Sequence, residues 1–427
     1  MREMKDSGIE WVGQVPNNWK LKKGKYLFKQ HNNRGNLKCL QLLSPSQKFG
    51  VIPQTLLEEL TTQNVVKVSE KANLNDFKTV HVGDFCISLR SFQGGFEYSR
   101  YEGVVSPAYQ IFSAIGDNLC DGYYRYLFKD KSFIDKMNSY TMTLRDGKNI
   151  AFDDFGNTYI PVPPKSEQEK IANFLDSKSS EIDAISADIQ KEIEALEQYK
   201  RSVITEAVTK GLNPDVKMES VNIQYIVKKP SNWGILRLKY VLTEQKARTM
   251  TGAEDLLSVS QYKGVILATD NIMRTMQAAS LKGYRIVHIG DLVFNKLNPG
   301  LARFGASDYN GITSPDYAVY KANPRIAYAK YLEYILKTER YVSEYKRQST
   351  GVGDGFSRLY TYQLYEIKVA LPPIDEQKEI IDYLQSICYK IETAIQEKKK
   401  QVDILNAYKK SLIYEYVTGK KEVPNEQ

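Results

Sequence analysis

The sequence predicts an α+β protein with an internal pseudo-twofold repeat: two mixed α/β globules joined by two long antiparallel coiled-coil helices. Three observations carry this. The stretch VPPKSEQEKIANFLDSKSSEIDAISADIQKEIEALEQYKRSVITEAVT at 162–209 returns without a gap as LPPIDEQKEIIDYLQSICYKIETAIQEKKKQVDILNAYKKSLIYEYVT at 371–418, an offset of 209 residues. Apolar residues inside both copies recur at spacings of three and four. The segments ahead of each copy also echo one another, more faintly. The duplicated unit is therefore half the molecule, a period too long for a solenoid.

Taken in order, the chain opens with a polar stretch that holds Trp11 and Trp19 around Pro16. Pro16, Asn18, Trp19, Lys25 and Tyr26 return as Pro230, Asn232, Trp233, Lys239 and Tyr240, so each globule begins alike. Between 27 and 162 the runs VVKVSE, KTVHVGDFCISL and AYQIF are β-branched and aromatic, with Gly, Asn and Pro at their ends, and read as short strands. The Gly-Asp of VHVGD, repeated in VHIGD, marks a tight turn feeding a buried strand. YYRYLFKDKSFIDKMNSY spaces its aromatics for one core helix, and YAKYLEYILKTERYVSEYK supplies its counterpart. Polar, glycine-containing loops, LRDGKN and STGVGDGFSR, close the globules.

Each rod starts after two prolines, which cannot continue a helix backwards. Ser166 and Asp375 are good N-cap types, and Gly211 and Gly419 stand where helices end. The apolar stripe runs Ile171, Leu175, Ile182, Ile185, Ile189, Leu196, Tyr199, Val203 in the first copy. In the second it runs Ile380, Leu384, Ile391, Ile395, Val402, Leu405, Tyr408, Leu412. That is close to a heptad seam. At ~1.5 Å per residue each rod is roughly 60 Å long. A stripe of that length needs a partner, and the other copy is the natural one, met antiparallel because a whole globule lies between them. The boundaries are 1–164, 165–211, 212–373, 374–420 and a tail at 421–427.

The formal net charge is +8. Residues 165–211 are net −3 and 374–420 are neutral, so the basic excess sits in the globules. Globules suited to phosphate and rods suited to protein are the implied division of labour. No run of ~18 apolar residues is present to span a membrane, and MREMKDSGIEW has no apolar signal core. Cys39, Cys86, Cys120 and Cys388 have no pairing or metal spacing. A reduced, cytoplasmic protein is expected.

The KDSGIEWVGQVPNNW opening, the two PP…EQ starts at Pro163–Gln168 and Pro372–Gln377, and the two long helices together resemble the specificity subunit of type I restriction–modification systems. The resemblance covers essentially the whole chain. It implies two target-recognition domains, each reading half of a split, asymmetric double-stranded DNA site. It implies helices that set the spacing and dock two methyltransferase subunits, with motor–nuclease subunits joining the complex. No cofactor is expected on this chain; S-adenosylmethionine, ATP and Mg belong to the partners. One departure is the second globule's start, NIQYIVKKPSNW, which lacks the first Trp and Gly of the opening. The helix residues singled out for spacing and docking are Ile182, Ile189, Leu196, Tyr199, Ile391, Leu405 and Tyr408.

Catalytic constellations are not legible. Ser106-Pro107-Ala108-Tyr109 and Ser314-Pro315-Asp316-Tyr317 lack the second proline of adenine methyltransferases, and no Gly-Lys-Ser/Thr phosphate loop occurs. His31, His81 and His288 stand apart from Cys and acids at ligand spacing. DNA reading falls to basic and amide side chains in loops, since Arg and Lys suit guanine and Asn and Gln suit adenine. The candidates are Arg90, Gln93, Arg100, Arg145 and Lys148 in the first globule, and Lys296, Asn298, Arg303 and Arg358 in the second. The alternatives are a coiled-coil adaptor binding only proteins, or a reader within a fused methyltransferase or nuclease.

Overall fold

The computed structural model describes residues 2–35, 40–61, 73, 75–87, 95–140, 150–261, 263–270, 280–351 and 356–424. The chain forms two compact units, Met1–Ile189 with Lys400–Gln427, and Gln190–Lys399. Each contains one globule, the first part of the helix that leaves it and the last part of the helix that returns to it.

The two globules share one sheet plan. In the first, a four-stranded antiparallel sheet runs in the order Glu97–Tyr98, Phe85–Ile87, Gln110–Ala114, Phe28–His31. In the second, Phe304–Ala306, Leu292–Asn295, Tyr317–Ala322 and Leu242–Gln245 repeat that order. Lys20–Lys23 pairs with Tyr159–Val162 and Gly234–Arg237 with Lys368–Leu371, each closing its globule just before the prolines. The VHVGD and VHIGD turns form as expected. Asp84 Oδ2 accepts the His81 N–H at 2.7 Å and Asp291 Oδ2 the His288 N–H at 2.8 Å. Gly83 and Gly290 take the positive φ of +97° and +86° that the turn requires. The VVKVSE run lies outside the described residues.

The predicted single core helix is two in each globule: Asp121–Leu127 and Lys131–Ser139, then Ala329–Leu336 and Glu339–Gln348. In the first globule Asp130 explains the break, because its carboxylate accepts the Ser132 N–H at 2.9 Å and caps a new helix. Around these helices the first core is aromatic, with Phe28, Phe85, Phe96, Phe112, Phe128, Phe133 and Phe155 fully or nearly fully buried. The second is more aliphatic, with Leu332, Ile335 and Leu336 beside Phe294, Phe304 and Tyr345.

The rods are continuous helices, Lys165–Lys210 and Ile374–Val417. They pair antiparallel inside each unit. Asp183 meets Lys409 at 2.7 Å and Phe174 packs on Tyr416 in the first unit. Glu192 meets Lys398 and Glu392 meets Lys200 in the second. The seam keeps the heptad spacing that the sequence suggested. Buried or half-buried positions recur every seven residues in two columns, Leu175, Ile182, Ile189, Leu196 and Val203 with Ala172, Ser179, Ser186, Ile193 and Ala207 in the first rod, and Leu384, Ile391, Leu405 and Leu412 with Ile381, Cys388, Ile395, Val402 and Tyr416 in the second. Ile193 lies on this seam and is buried, while Ile185, Tyr199 and Tyr408 lie off it and are about half exposed. Ile193→Ala is expected to destabilise the protein by about 2–4 kcal/mol and Tyr199→Ala by less than about 0.5 kcal/mol. Urea denaturation of the two variants checks this; equal losses would show that Tyr199 belongs to the seam as much as Ile193 does.

One buried side chain fastens each rod to its globule. Gln168 Oε1 accepts the N–H of Cys120, the N-cap of the first core helix, at 2.8 Å, and its amide donates to Pro163 O at 2.8 Å. Gln377 repeats this on Tyr328, the N-cap of Ala329–Leu336, at 3.1 Å, and on Pro372 O at 3.0 Å. The neighbouring glutamates turn to the globule's opening: Glu167 meets Arg2 at 2.5 Å and Glu376 accepts the Trp233 indole N–H at 3.1 Å.

Candidate nucleic-acid interface

In the second unit the strand Leu292–Asn295 runs into a loop that the sequence marked for reading. Asn298 and Ala302 take left-handed backbone, φ 47° and 49°, around the short turn Pro299–Leu301. The Ser357–Arg358 segment crosses this loop: Asn298 N–H donates to Ser357 O at 2.8 Å and Leu359 N–H to Lys296 O at 2.9 Å. Asn298 also accepts the Ser357 N–H on its side-chain oxygen, at 3.2 Å. That oxygen is committed to holding the loop together.

The crossing brings Lys296 and Arg358 into one cationic group. Burial lowers the Lys296 pKa, and the charges of Arg285 and Arg358 lower it further. Arg358 lies 3.6 Å from Asp316 and over the Tyr360 ring, with its Nε buried and unpaired. Arg303 is exposed beside Tyr317, whose hydroxyl feels its charge. Arg285 was not among the sequence candidates. It is largely buried, donates to Gln245 O at 3.0 Å and meets Glu244 at 3.3 Å. The described face thus joins Arg285, Lys296, Arg303 and Arg358 with Tyr317 and Tyr360. Glu244 and Asp316 offset part of this charge, and the half-buried cations beside them favour an arriving anion.

In the first unit Arg90, Gln93, Arg145 and Lys148 lie outside the described residues. Arg100 is exposed and stands near Tyr98 and Arg125, the latter paired with Asp176 of the long helix. The position matching Arg285 is Lys78, 207 residues earlier. Lys78 donates to Tyr109 O at 2.7 Å, and burial, then Arg34, lowers its pKa. A basic residue three places before the His of both VHxGD turns was the sequence signal for this pair. Both residues sit on strands, away from the loops in which the other candidates fall.

His31 and His81, far apart in sequence, come within 6.5 Å, and His31 Nε2 lies 3.2 Å from Asp84. Among the described residues no group of three or more His, Cys, Asp or Glu is arranged to hold a metal. A groove of about 430 Å³ near Asp84, Asp117 and Asp121 is acidic, the wrong sign for phosphate.

On the rods, Ile182 and Ile391 are buried, and Ile189, Leu196 and Leu405 are half-buried, all on the seven-residue columns of the seam. Tyr199 and Tyr408 face outward, 53% and 55% exposed. They begin an identical stripe, Tyr199, Ser202, Glu206 and Tyr408, Ser411, Glu415, at i, i+3 and i+7 on one helical face.

On the edge strand of the first sheet, Glu97 is buried against Lys129 at 2.6 Å, and burial pushes its pKa up to about 7 despite the lysine. A carboxyl raised in the folded state contributes stability below its unfolded pKa and loses it as pH rises through about 7. Glu97→Gln is therefore expected to remove on the order of 1–3 kcal/mol of pH-dependent stability between pH 5 and 8. Melting curves of the two proteins across that range measure it; parallel curves would show that Glu97 stays ionised throughout.

A family model described as the type I restriction modification DNA specificity domain matches residues 17–195 and again 230–404. The specificity subunit of the type I restriction enzyme MjaVIII, from Methanocaldococcus jannaschii, is 26% identical over 292 residues, 64% of this chain and 64% of that protein. The matched region thus spans just under two thirds of that relative. The EcoKI specificity subunit of Escherichia coli K12 is 22% identical over 341 residues, covering 76% of this chain and 70% of its own. A chain solved in work on complex assembly and conformational transition of the type I R-M system shares the fold. It has a TM-score of 0.66 at 12% identity, over 95% of this chain and 99% of that one.

Proposed function

The chain belongs to the type I restriction–modification DNA specificity family, and on that premise we propose that it is a non-catalytic subunit that recognises a bipartite, asymmetric site in double-stranded DNA. Residues 1–164 and 212–373 act as the two recognition domains, 165–211 and 374–420 as helical spacers, and 421–427 as a tail. Two methyltransferase subunits dock on the helices, and motor–nuclease subunits join through the complex. S-adenosylmethionine, ATP and Mg act on those partners, and the complex works in the cytoplasm.

The observation that carries this reading is one scaffold holding different cations. The sheet order repeats between units, yet matched cations meet different groups: Lys78 donates to Tyr109 O where Arg285 meets Glu244, and Arg34 meets Asp76 where Arg248 donates to Gly283 O. Equal frames with unequal readers suit two unequal half-sites. Arg303→Ala and Arg358→Ala, assayed in the complex with its methyltransferase, are expected to weaken binding by about 1–3 kcal/mol and relax only one half-site. Affinity of the parent complex is expected to fall with salt at about −0.9 per phosphate contacted. Sequence-indifferent binding by the intact complex would remove the proposal.

The repeated exposed stripe supports docking of one partner twice, because nothing in the packing requires an outward Tyr at the same place in both rods. Tyr199→Ala and Tyr408→Ala are each expected to cost one methyltransferase copy, a loss of about 2 kcal/mol for a buried aromatic contact. Native mass spectrometry reads the stoichiometry, and two copies retained on the double variant would place the docking surface elsewhere.

A further inference from the structure

Both copies of the PP…EQ motif end in a glutamine that is completely buried. Its carboxamide is matched on both sides. Gln168 takes the N-cap N–H of the core helix on its oxygen, and gives its amide protons to Pro163 O and, at 3.5 Å, to Asn118 O. Gln377 does the same with Tyr328, Pro372 O and, at 2.8 Å, Ile326 O. Only a carboxamide both accepts and donates in one plane here; Glu would keep the acceptor and lose the donors.

The core helix so held also holds the other rod. Tyr123 OH donates to Val417 O at 2.7 Å, at the end of the second rod, and Tyr331 OH to Val208 O at 3.2 Å, near the end of the first. One short helix per globule is therefore tied at its N-cap to the departing rod and about a turn later to the arriving one. Hydrophobic packing around these points is non-directional and tolerates small rotations. The hydrogen bonds do not, since they weaken steeply with angle.

We propose that Gln168 and Gln377 are positioning residues that fix the angle at which each globule meets its rods, and through it the preference of the complex for one spacer length between half-sites. The inference rests on the bipartite reading above. It is tested on the intact complex of this chain with its methyltransferase, using duplexes that carry both half-sites, found by methylation sequencing, at the native spacer and at one base pair more or less. Gln168→Met and Gln377→Met are expected to lower the ratio of native-spacer to shifted-spacer methylation at least about tenfold. Discrimination against single mismatches within the half-sites is expected to stay unchanged, and Gln→Glu to fall between. An unchanged spacer ratio, with or without a lower melting temperature, overturns the proposal. Should the Met variants not fold, Tyr123→Phe and Tyr331→Phe decide: they are expected to loosen the same ratio, and an unchanged ratio again overturns it. A parent complex with no spacer preference at all would instead defeat the bipartite reading.

Discussion

Burial of two columns of side chains, each at seven-residue spacing, along both rods is the constraint on which the rest of the structure depends. An isolated helix of this length would leave its stripe in water, so the two rods must pair. A seam at ~3.5 residues per turn keeps the paired faces in contact. The cross-helix ion pairs Lys200–Glu392 and Lys409–Asp183 occupy equivalent places, 209 residues apart at both ends. They are exposed and contribute little stability, but sliding by a turn would break them. The antiparallel arrangement then explains why each compact unit is built from both rods.

Given that frame, each globule solves the same packing problem with different residues. The lysine after the core helix is kept, as Lys129 and Lys337, but its buried acid has moved. In the first unit the acid is Glu97, on a strand; in the second it is Glu333, on the helix itself, gripped by Lys330 and Lys337. Gly305 stands where Glu97 would be, and a Cβ there would come within 3.1 Å of the Glu333 carboxylate. Burial alone would raise the Glu333 pKa, yet its two lysines hold it below the usual value. Glu97, with one lysine, is pushed up. The same charge pairing thus survives by exchange between strand and helix, and of the two buried acids it is Glu97 whose pKa burial pushes up to about 7.

The duplication, the long helices, the sheet elements around VHxGD and the basic globules were legible because they rest on local pattern and on repetition within one chain. Which residues face outward along the rods was not, since Ile185, Tyr199 and Tyr408 keep the three- and four-residue spacing of the stripe and yet lie off the seam. The break within each core pair of helices was hidden by aromatics that keep helical spacing across Asp130 and Thr338. At the candidate face the loops were found but the roles were not. Asn298 has the right chemistry for adenine and spends its oxygen on Ser357, while Arg285 looked like a strand residue and faces the cationic group. Tertiary crossing of 357–358 over 296–298 creates that face, and no local pattern announces a contact between segments sixty residues apart.

Divergence and retention in the two halves follow from what each position must satisfy. A strand position that answers to its own globule alone is free to differ from its counterpart, so Lys78 and Arg285, or Glu97 and Gly305, have parted. A buried carboxamide answers to three backbone groups at once. Removing it strands the Cys120 or Tyr328 N–H without water, which costs more than the net gain of any one of the bonds it made. Gln168 and Gln377 are held by that penalty and not by any exposed contact. The strongest identity between the halves therefore lies where rods meet globules, the place at which a change in either copy would alter the frame that both readers share.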